Sequence, residues 1–391
     1  MLITAPRVVT ADGSGRILEP GYVAVAGQHV SDVAPGPPPR APDVALPSGM
    51  LLPGLVDLQV NGYFGEEFQT AGADGWAKVV TGLPQTGTTA FLPTFITAPL
   101  SVLGDALRAA AALIPDLPGG ARVLGVHVEG PFISPARKGA HNEAWITDPT
   151  PAAVDGLLEA GQGVLRLVTL APEREGALAA IGRLAGAGVL VSVGHSDATA
   201  RQVAEAARCG ARMVTHLFNA QRPLHHREPG VVGQALTDSR LTSGLITDMW
   251  HVAPEICVMA FAAAPGRIFA VTDAAACAGM PPGRYLLGGE SIELPPGPGE
   301  PPVRGDGTLA GSALRMDAAV ANMVTAGIGL AEAVAAATRI PADLISRPDL
   351  GRIAPGALAD LAWLGDDMRT RATWIGGELA YSCAGTDGGP R

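Results

Sequence analysis

Short β-branched apolar runs recur through the middle of the chain, and each ends in a polar residue or a glycine. They cover residues 55–60, 88–94, 122–128, 165–170, 189–194, 212–215, 242–247 and 268–272. Helix-like stretches, such as 99–114 and 197–209, lie between them. Strands that alternate with helices read as βαβ units in a parallel sheet. About eight such units predict an α/β fold, a (β/α)8 TIM-like barrel, whose chemistry sits at the C-terminal ends of the strands. A doubly wound sheet is the competing arrangement. However, no complete G-x-G-x-x-G or G-x-x-x-x-G-K-[ST] loop is present to cradle a nucleotide phosphate.

The two ends read differently. Residues 7–10 and 22–25 are short strand candidates among Gly/Pro turns, and 359–364 and 372–375 are their counterparts before Gly376-Gly377. Neither end is long enough to bury a good core alone. They are therefore expected to pair into one small β-sandwich domain, from residues 1–52 and 345–391, beside a catalytic barrel at 53–344. The Pro/Gly-rich stretch 295–302 is expected to be a loop in a surface insertion.

Composition narrows the function classes. Among 391 residues, 27 Lys+Arg face 37 Asp+Glu, a formal net charge of −10, and there is no basic run to meet a nucleic acid. Hydrophobic residues at 47% and charged residues at 16% exclude a disordered chain. The longest wholly apolar run, 256–264, is far short of the ~20 residues of a membrane span. The N-terminal residues lack a basic segment followed by an apolar core, so no signal peptide is visible. Cys209, Cys257, Cys277 and Cys383 are scattered, which supports neither a disulfide framework nor a cysteine zinc knuckle. A cytoplasmic protein with no membrane or nucleic-acid partner is expected.

The strand ends carry the candidate chemistry. Strand three runs into Glu129, strand five into His195, strand six into His216 and strand eight into Asp273. In a barrel these ends share one rim, so the four residues converge although they are far apart in sequence. Two imidazoles and a carboxylate suit Zn²⁺ and leave a coordination position open for water. Asp273 is then available to move a proton. A single His after a strand is more often structural, but four ends in register weaken that reading. His127 is expected to be structural, its ring supporting Glu129, while His29 and His226 are expected at the surface.

Several motifs resemble the N-acetylglucosamine-6-phosphate deacetylases of the amidohydrolase superfamily. They are His127-Val-Glu-Gly-Pro-Phe132, Lys138-Gly-Ala-His-Asn142, Val193-Gly-His-Ser-Asp197, Thr215-His-Leu-Phe-Asn-Ala220, Arg227-Glu-Pro-Gly230, Val271-Thr-Asp-Ala274 and Leu309-Ala-Gly-Ser312. Each is modest alone, and their family order is specific. The resemblance implies that Glu129, His195 and His216 bind one divalent metal ion per chain, most simply zinc. It implies that Asp273 is the catalytic acid/base and that His141 contacts the substrate carbonyl. It also matches Ala140, Asn219, Ala220, Arg227, Asp248, His251, Leu309, Ala310, Gly311 and Ser312 to substrate-contacting positions. The arginine matching Arg227 reaches the neighbouring subunit's substrate phosphate in that family, which implies a homodimer.

Two departures refine this expectation. Many amidohydrolases hold a second metal with His-x-His at the end of strand one, where this chain has Gln59-Val60-Asn61. Neutral carboxamides are weak ligands, which selects a single-metal branch. Met249-Trp250 stands between Asp248 and His251 where the family usually has small or aliphatic residues, placing Trp250 near the sugar phosphate. The expected reaction is hydrolysis of the acetamide of N-acetylglucosamine 6-phosphate. Trp250 keeps open a different N-acylated amino sugar. A catalytically silent sugar-phosphate-binding protein is the alternative from another class, and it would be expected to have lost a ligand or Asp273.

Overall fold

The computed structural model describes residues 1–383. The expected C-terminal unit at 345–391 runs past them, so 384–391 lie outside the described residues.

Eight parallel strands form the centre: β1 (Leu55–Val60), β2 (Thr88–Ile96), β3 (Val126–Glu129), β4 (Leu165–Leu170), β5 (Leu190–Val193), β6 (Met213–Val214), β7 (Thr242–Ile246) and β8 (Ile268–Val271). Each pairs in parallel with the next in sequence. No regular ladder joins β8 to β1. Instead, a single bridge between Val60 and Ala274 closes the ring, with Asp273 N–H donating to Gln59 O at 2.9 Å and Asn61 N–H to Ala274 O at 2.8 Å. Every residue of β1, β2, β3 and β8 is buried, which is why these segments are rich in apolar and β-branched residues on both faces.

A helix follows each strand: α1 (Ala73–Gly82), α2 (Leu100–Leu113), α3 (Pro151–Ala160), α4 (Ala177–Gly186), α5 (Ala200–Cys209), α6 (Gly230–Thr237), α7 (Pro254–Ala263) and α8 (Met316–Ala326), with α9 (Leu330–Ala337) and α10 (Arg339–Leu344) after the last. The expected helix at 197–209 starts later because Thr199 caps it in a capping box with Gln202. The side chain of Asp197 is engaged elsewhere, by Arg137 and Arg222.

Two strands differ from expectation. The run 122–128 is broken at Gly125, whose φ is +129° and where a Cβ would lie 2.2 Å from Arg166 Cγ. Only Val126–Glu129 joins the ring, while Arg122–Val123 pairs lower down, beside Ala90 and Phe91. Strand β2 runs two residues beyond the expected end, to Ile96.

The chain ends build the flanking sheets. Met50–Pro53 pairs antiparallel with Leu361–Leu364, which pairs with Thr370–Ile375. A second sheet carries Leu2–Ala5 and Gly21–Ala26. Ile3, Val23, Leu51, Leu361, Trp363 and Trp374 bury one shared core between them.

An unexpected antiparallel sheet lies between β8 and α8: β9 (Gly283–Leu287), β10 (Glu290–Leu294) and β11 (Val303–Arg304). Residues 295–302 connect β10 to β11 as a loop, in line with their composition. Leu287, Ile292 and Leu294 are buried against Ile96, Ala275 and Cys277. This sheet is therefore part of the barrel's upper face.

Candidate active site

Glu129 ends β3, with Ile96 of β2 on one side and Thr169 of β4 on the other. His195, His216 and Asp273 lie just past β5, β6 and β8. All three hold left-handed backbone, with φ of 47°, 27° and 52°. A residue with a side chain is strained there by about 1–3 kcal/mol, and such strain clusters at functional sites. All four side chains line one cavity of about 200 Å³ at the C-terminal ends of the strands.

Inside it, His216 Nε2 is 3.0 Å from Glu129 Oε1 and 3.1 Å from His195 Nε2. His195 Nε2 is 3.3 Å from the same carboxylate oxygen. His195 Nδ1 donates to the Arg137 carbonyl at 2.9 Å. Because a carbonyl only accepts, the Nε2 lone pair of His195 faces the cluster. His216 Nδ1 is buried without a hydrogen-bond partner among the described residues.

Glu129, His141 and His195 present donor atoms that all lie within 4.8 Å of one another. His141 Nε2 stands 3.7 Å from Glu129 Oε2. Its other ring nitrogen separates it from the remaining imidazoles. His141 Nδ1 is turned to Thr97, 3.3 Å from its backbone N–H and 2.7 Å from its hydroxyl. Burial, reinforced by the neighbouring His195, pushes this imidazole down to about 3 and keeps it neutral. With Nδ1 engaged by Thr97, the ring presents Nε2 to the cavity, where a neutral ring protonated on Nε2 acts as a hydrogen-bond donor. Glu129 lies well below the usual carboxylate range. Burial opposes ionisation there, but the imidazoles of His195 and His216 beside it outweigh it.

Gln59 Nε2 donates to both Glu129 Oε1 and Asp273 Oδ1, each at 3.0 Å. Asn61 Nδ2 donates to Asp273 Oδ1 at 2.7 Å. The two carboxamides thus orient the carboxylates. Burial, and then the charge of Glu129, raise Asp273 to about 6, near the value that suits a general base at neutral pH. His127 lies below, its ring between Thr94 Oγ1 at 3.2 Å and Thr169 Oγ1 at 2.8 Å. Burial pushes it down to about 4.

The remaining expected residues differ in how near they stand to the cavity. Ala140, Asn219, Ala220, His251, Leu309 and Gly311 line the cavity. Asp248 does not line it, but its carboxylate holds His251 Nδ1 at 2.6 Å. Ser312 is buried behind it, where its N–H donates to Asp273 O at 2.8 Å, and Ala310 packs under the insertion. Trp250 is 55% exposed on the rim, where a Cβ built on Gly299 would lie 3.9 Å from its indole nitrogen. Arg227 is exposed and bonded to His226 at 2.9 Å, away from this cavity. His29 and His226 are exposed as expected.

Sequence reasoning missed Ile96, Thr97, Ile246, Leu287 and Thr308. Thr97 was missed because the expected end of β2, at 94, stops short of the rim that the strand reaches at Ile96. Leu287 and Thr308 belong to the unexpected sheet and carry no such signal.

The sequence model of the Amidohydrolase family matches residues 50–380. The N-acetylgalactosamine-6-phosphate deacetylase of Escherichia coli O157:H7 is 40% identical over 334 residues, covering 85% of this chain and 88% of that protein. The human N-acetylglucosamine-6-phosphate deacetylase is 37% identical over 387 residues, covering 94% and 90%. The fold matches a mutant N-acetyl-D-glucosamine-6-phosphate deacetylase from Mycobacterium smegmatis, solved in complex with N-acetyl-D-glucosamine-6-phosphate, with a TM-score of 0.92 and 36% identity over 98% of this chain and 99% of that one. This chain belongs to the amidohydrolase family, within its branch of amino-sugar phosphate deacetylases.

Proposed function

We propose that the protein hydrolyses the acetamide of N-acetylglucosamine 6-phosphate, releasing acetate and glucosamine 6-phosphate. The observation that carries this reading is the convergence of Glu129, His195, His216 and Asp273 on one cavity, in a chain similar to deacetylases over most of its length.

We assign Glu129, His195 and His216 as the ligands of one divalent metal ion, most simply zinc. Their fit rests on the donor set: a carboxylate held ionised, an imidazole whose lone pair is fixed inward by Arg137 O, and a second imidazole 3.1 Å away. A metal bound there supplies Lewis acidity and lowers the pKa of water from ~15.7 to about 7. Asp273 takes the proton of the attacking water and returns it to the departing amine. His141, protonated on Nε2, donates to the acetamide oxygen as charge develops on it. Asp248 orients His251, and Asn219, Ala220, Ala140 and the Leu309–Ala310–Gly311–Ser312 strip shape the sugar subsite, with Trp250 at its rim.

No Lys or Arg lines the cavity among the described residues. This favours Arg227 of a second copy as the phosphate ligand, and therefore a homodimer. We place the enzyme in the cytoplasm, and take residues 1–52 and 345–391 as one unit beside the 53–344 barrel. No helix among the described residues is long and apolar enough to cross a membrane.

A second reading, in which the sugar is the C4 epimer, draws on the name of the Escherichia coli relative. Acetate release from a panel of N-acetyl amino sugars, with and without the 6-phosphate, tests both. Comparable rates on phosphorylated and unphosphorylated sugars would overturn the sugar-phosphate assignment.

A further inference from the structure

The sheet of β9, β10 and β11 does more than cover the barrel. It is tied to the site at its turn, along its apolar face and at its last residue. The Gly288-Gly289 turn has φ of +59° and +80°, as a two-residue hairpin connection needs, and the Gly288 N–H donates to the carboxylate of Glu67 at 2.6 Å. The Leu287 side of the sheet packs on Ile96, which adjoins Glu129 in the ring. The third tie reaches the segment that carries His141.

That segment, between Ser134 and Thr147, contains only two single 3-10 turns, Pro135–Arg137 and Glu143–Trp145. Backbone bonds hold its two ends, Ser134 N–H to His195 O at 2.9 Å and Thr147 N–H to Pro131 O at 3.1 Å; between them its placement depends on side-chain ties, of which His141 to Thr97 is one. Arg304 Nη1 donates to the Ala140 carbonyl at 3.0 Å. Arg304 Nη2 lies 3.7 Å from Glu290 Oε2, and Glu290 Oε1 accepts from Asn142 Nδ2 at 3.5 Å. Ala140 and Asn142 are the two neighbours of His141. One strand pair of the insertion thus grips the backbone on one side of His141 and a side chain on the other. The Arg304–Glu290 pair is partly exposed, 24% and 42% by side chain, and contributes little by itself. The charge-assisted bond to Ala140 O is the stronger tie.

We infer that Arg304 is a positioning residue for His141: the insertion holds the His141 segment at the distance from the Glu129 cluster that the reaction needs. This rests on the reading of His141 as the donor to the acetamide oxygen. A displacement of about 1 Å in such a group can lower a rate on the order of 100-fold without weakening substrate binding equally.

The test compares wild type with Arg304→Met and Arg304→Lys by two readouts, hydrogen–deuterium exchange across 134–147 and steady-state acetate release. In Arg304→Met, exchange in that segment is expected to rise while the barrel strands stay protected. kcat should fall roughly 10- to 100-fold, with KM within about threefold and metal content unchanged. Arg304→Lys, or guanidinium ion added to Arg304→Met, should restore part of kcat. Unchanged exchange in the segment overturns the inference, as does raised exchange with kcat within about twofold of wild type. A wild-type enzyme that releases no acetate would sink the deacetylase reading instead. The exchange data would then still decide whether Arg304 anchors the segment.

Discussion

Asn61 Nδ2 lies 2.7 Å from Asp273 Oδ1, and Gln59 reaches the same oxygen at 3.0 Å. Both bonds fall on Oδ1, so the second carboxylate oxygen is left for a proton. Asp273→Asn keeps an oxygen for these donors but cannot take and return that proton. Turnover is expected to fall ~10²–10⁴-fold with metal content unchanged. Single-turnover acetate release together with elemental analysis checks it, and activity within a few-fold of wild type would remove Asp273 from the role.

The same geometry sets the metal count. Gln59 and Asn61 turn their amide NH2 groups toward carboxylates, leaving only weak carbonyl donors, whereas Glu129, His195 and His216 offer three good ones. Protein purified without added metal should carry one equivalent. His216→Ala should lose both metal and rate. Two equivalents, both required for activity, would show that the two carboxamides have been misjudged.

Arg227 is exposed, and the cavity of its own chain holds no basic side chain among the described residues. Loss of a charge-assisted contact removes ~1.5–3 kcal/mol, so Arg227→Ala should lower kcat/KM on the phosphorylated sugar roughly 10- to 150-fold. The unphosphorylated sugar should be affected little. If the contact crosses a dimer, Arg227→Ala mixed with Asp273→Asn should recover activity, because one site of each mixed pair is whole. Failure to recover in a verified mixed dimer would place the arginine in its own subunit's site.

Asp57 lies beneath the site, where it accepts from the Thr272 hydroxyl at 2.5 Å and from the Gln59 N–H at 3.2 Å. Burial raises it to about 7, although these bonds pull the other way. In the unfolded chain it titrates near ~3.9. Between about pH 4 and pH 7 the folded protein thus keeps a proton that the unfolded chain has released, so this group makes stability decline as pH rises through that window. Asp57→Asn should flatten the decline. Urea midpoints for both proteins across the window measure it, and parallel curves would contradict the assignment.

How much of this was legible beforehand follows from burial. Strands such as β1 and β2 are packed on both faces and announce themselves as apolar runs. Counting to their ends places Glu129, His195, His216 and Asp273 on one rim without any contact being known. The β9–β11 sheet was illegible for the opposite reason. Its strands are short, and exposed positions, several of them charged, interrupt the few buried ones, so no apolar run marks them and only the loop at 295–302 stood out. Gln59 and Asn61 were read as poor ligands, which is correct chemistry but incomplete. Their work as donors to Glu129 and Asp273 depends on amide orientation, which no pattern of residue types encodes. The break at Gly125 went unread within the run 122–128, because its close approach to Arg166 needs the neighbouring strand to be in place.

The ring closes without a ladder, through one bridge and a few bonds between 59–62 and 273–274. This seam has a consequence for how the enzyme comes into being. A chain emerging from synthesis presents Glu129, His195 and His216 well before β8 exists. The carboxylate of Asp273, proposed to move the proton, arrives last, just past the strand that completes the circle, and meets Gln59 and Asn61 only as that circle shuts. With the roles proposed above, a barrel that lacks β8 holds all three proposed metal ligands and no acid–base group. On that reading, catalysis begins only when the first and last strands touch.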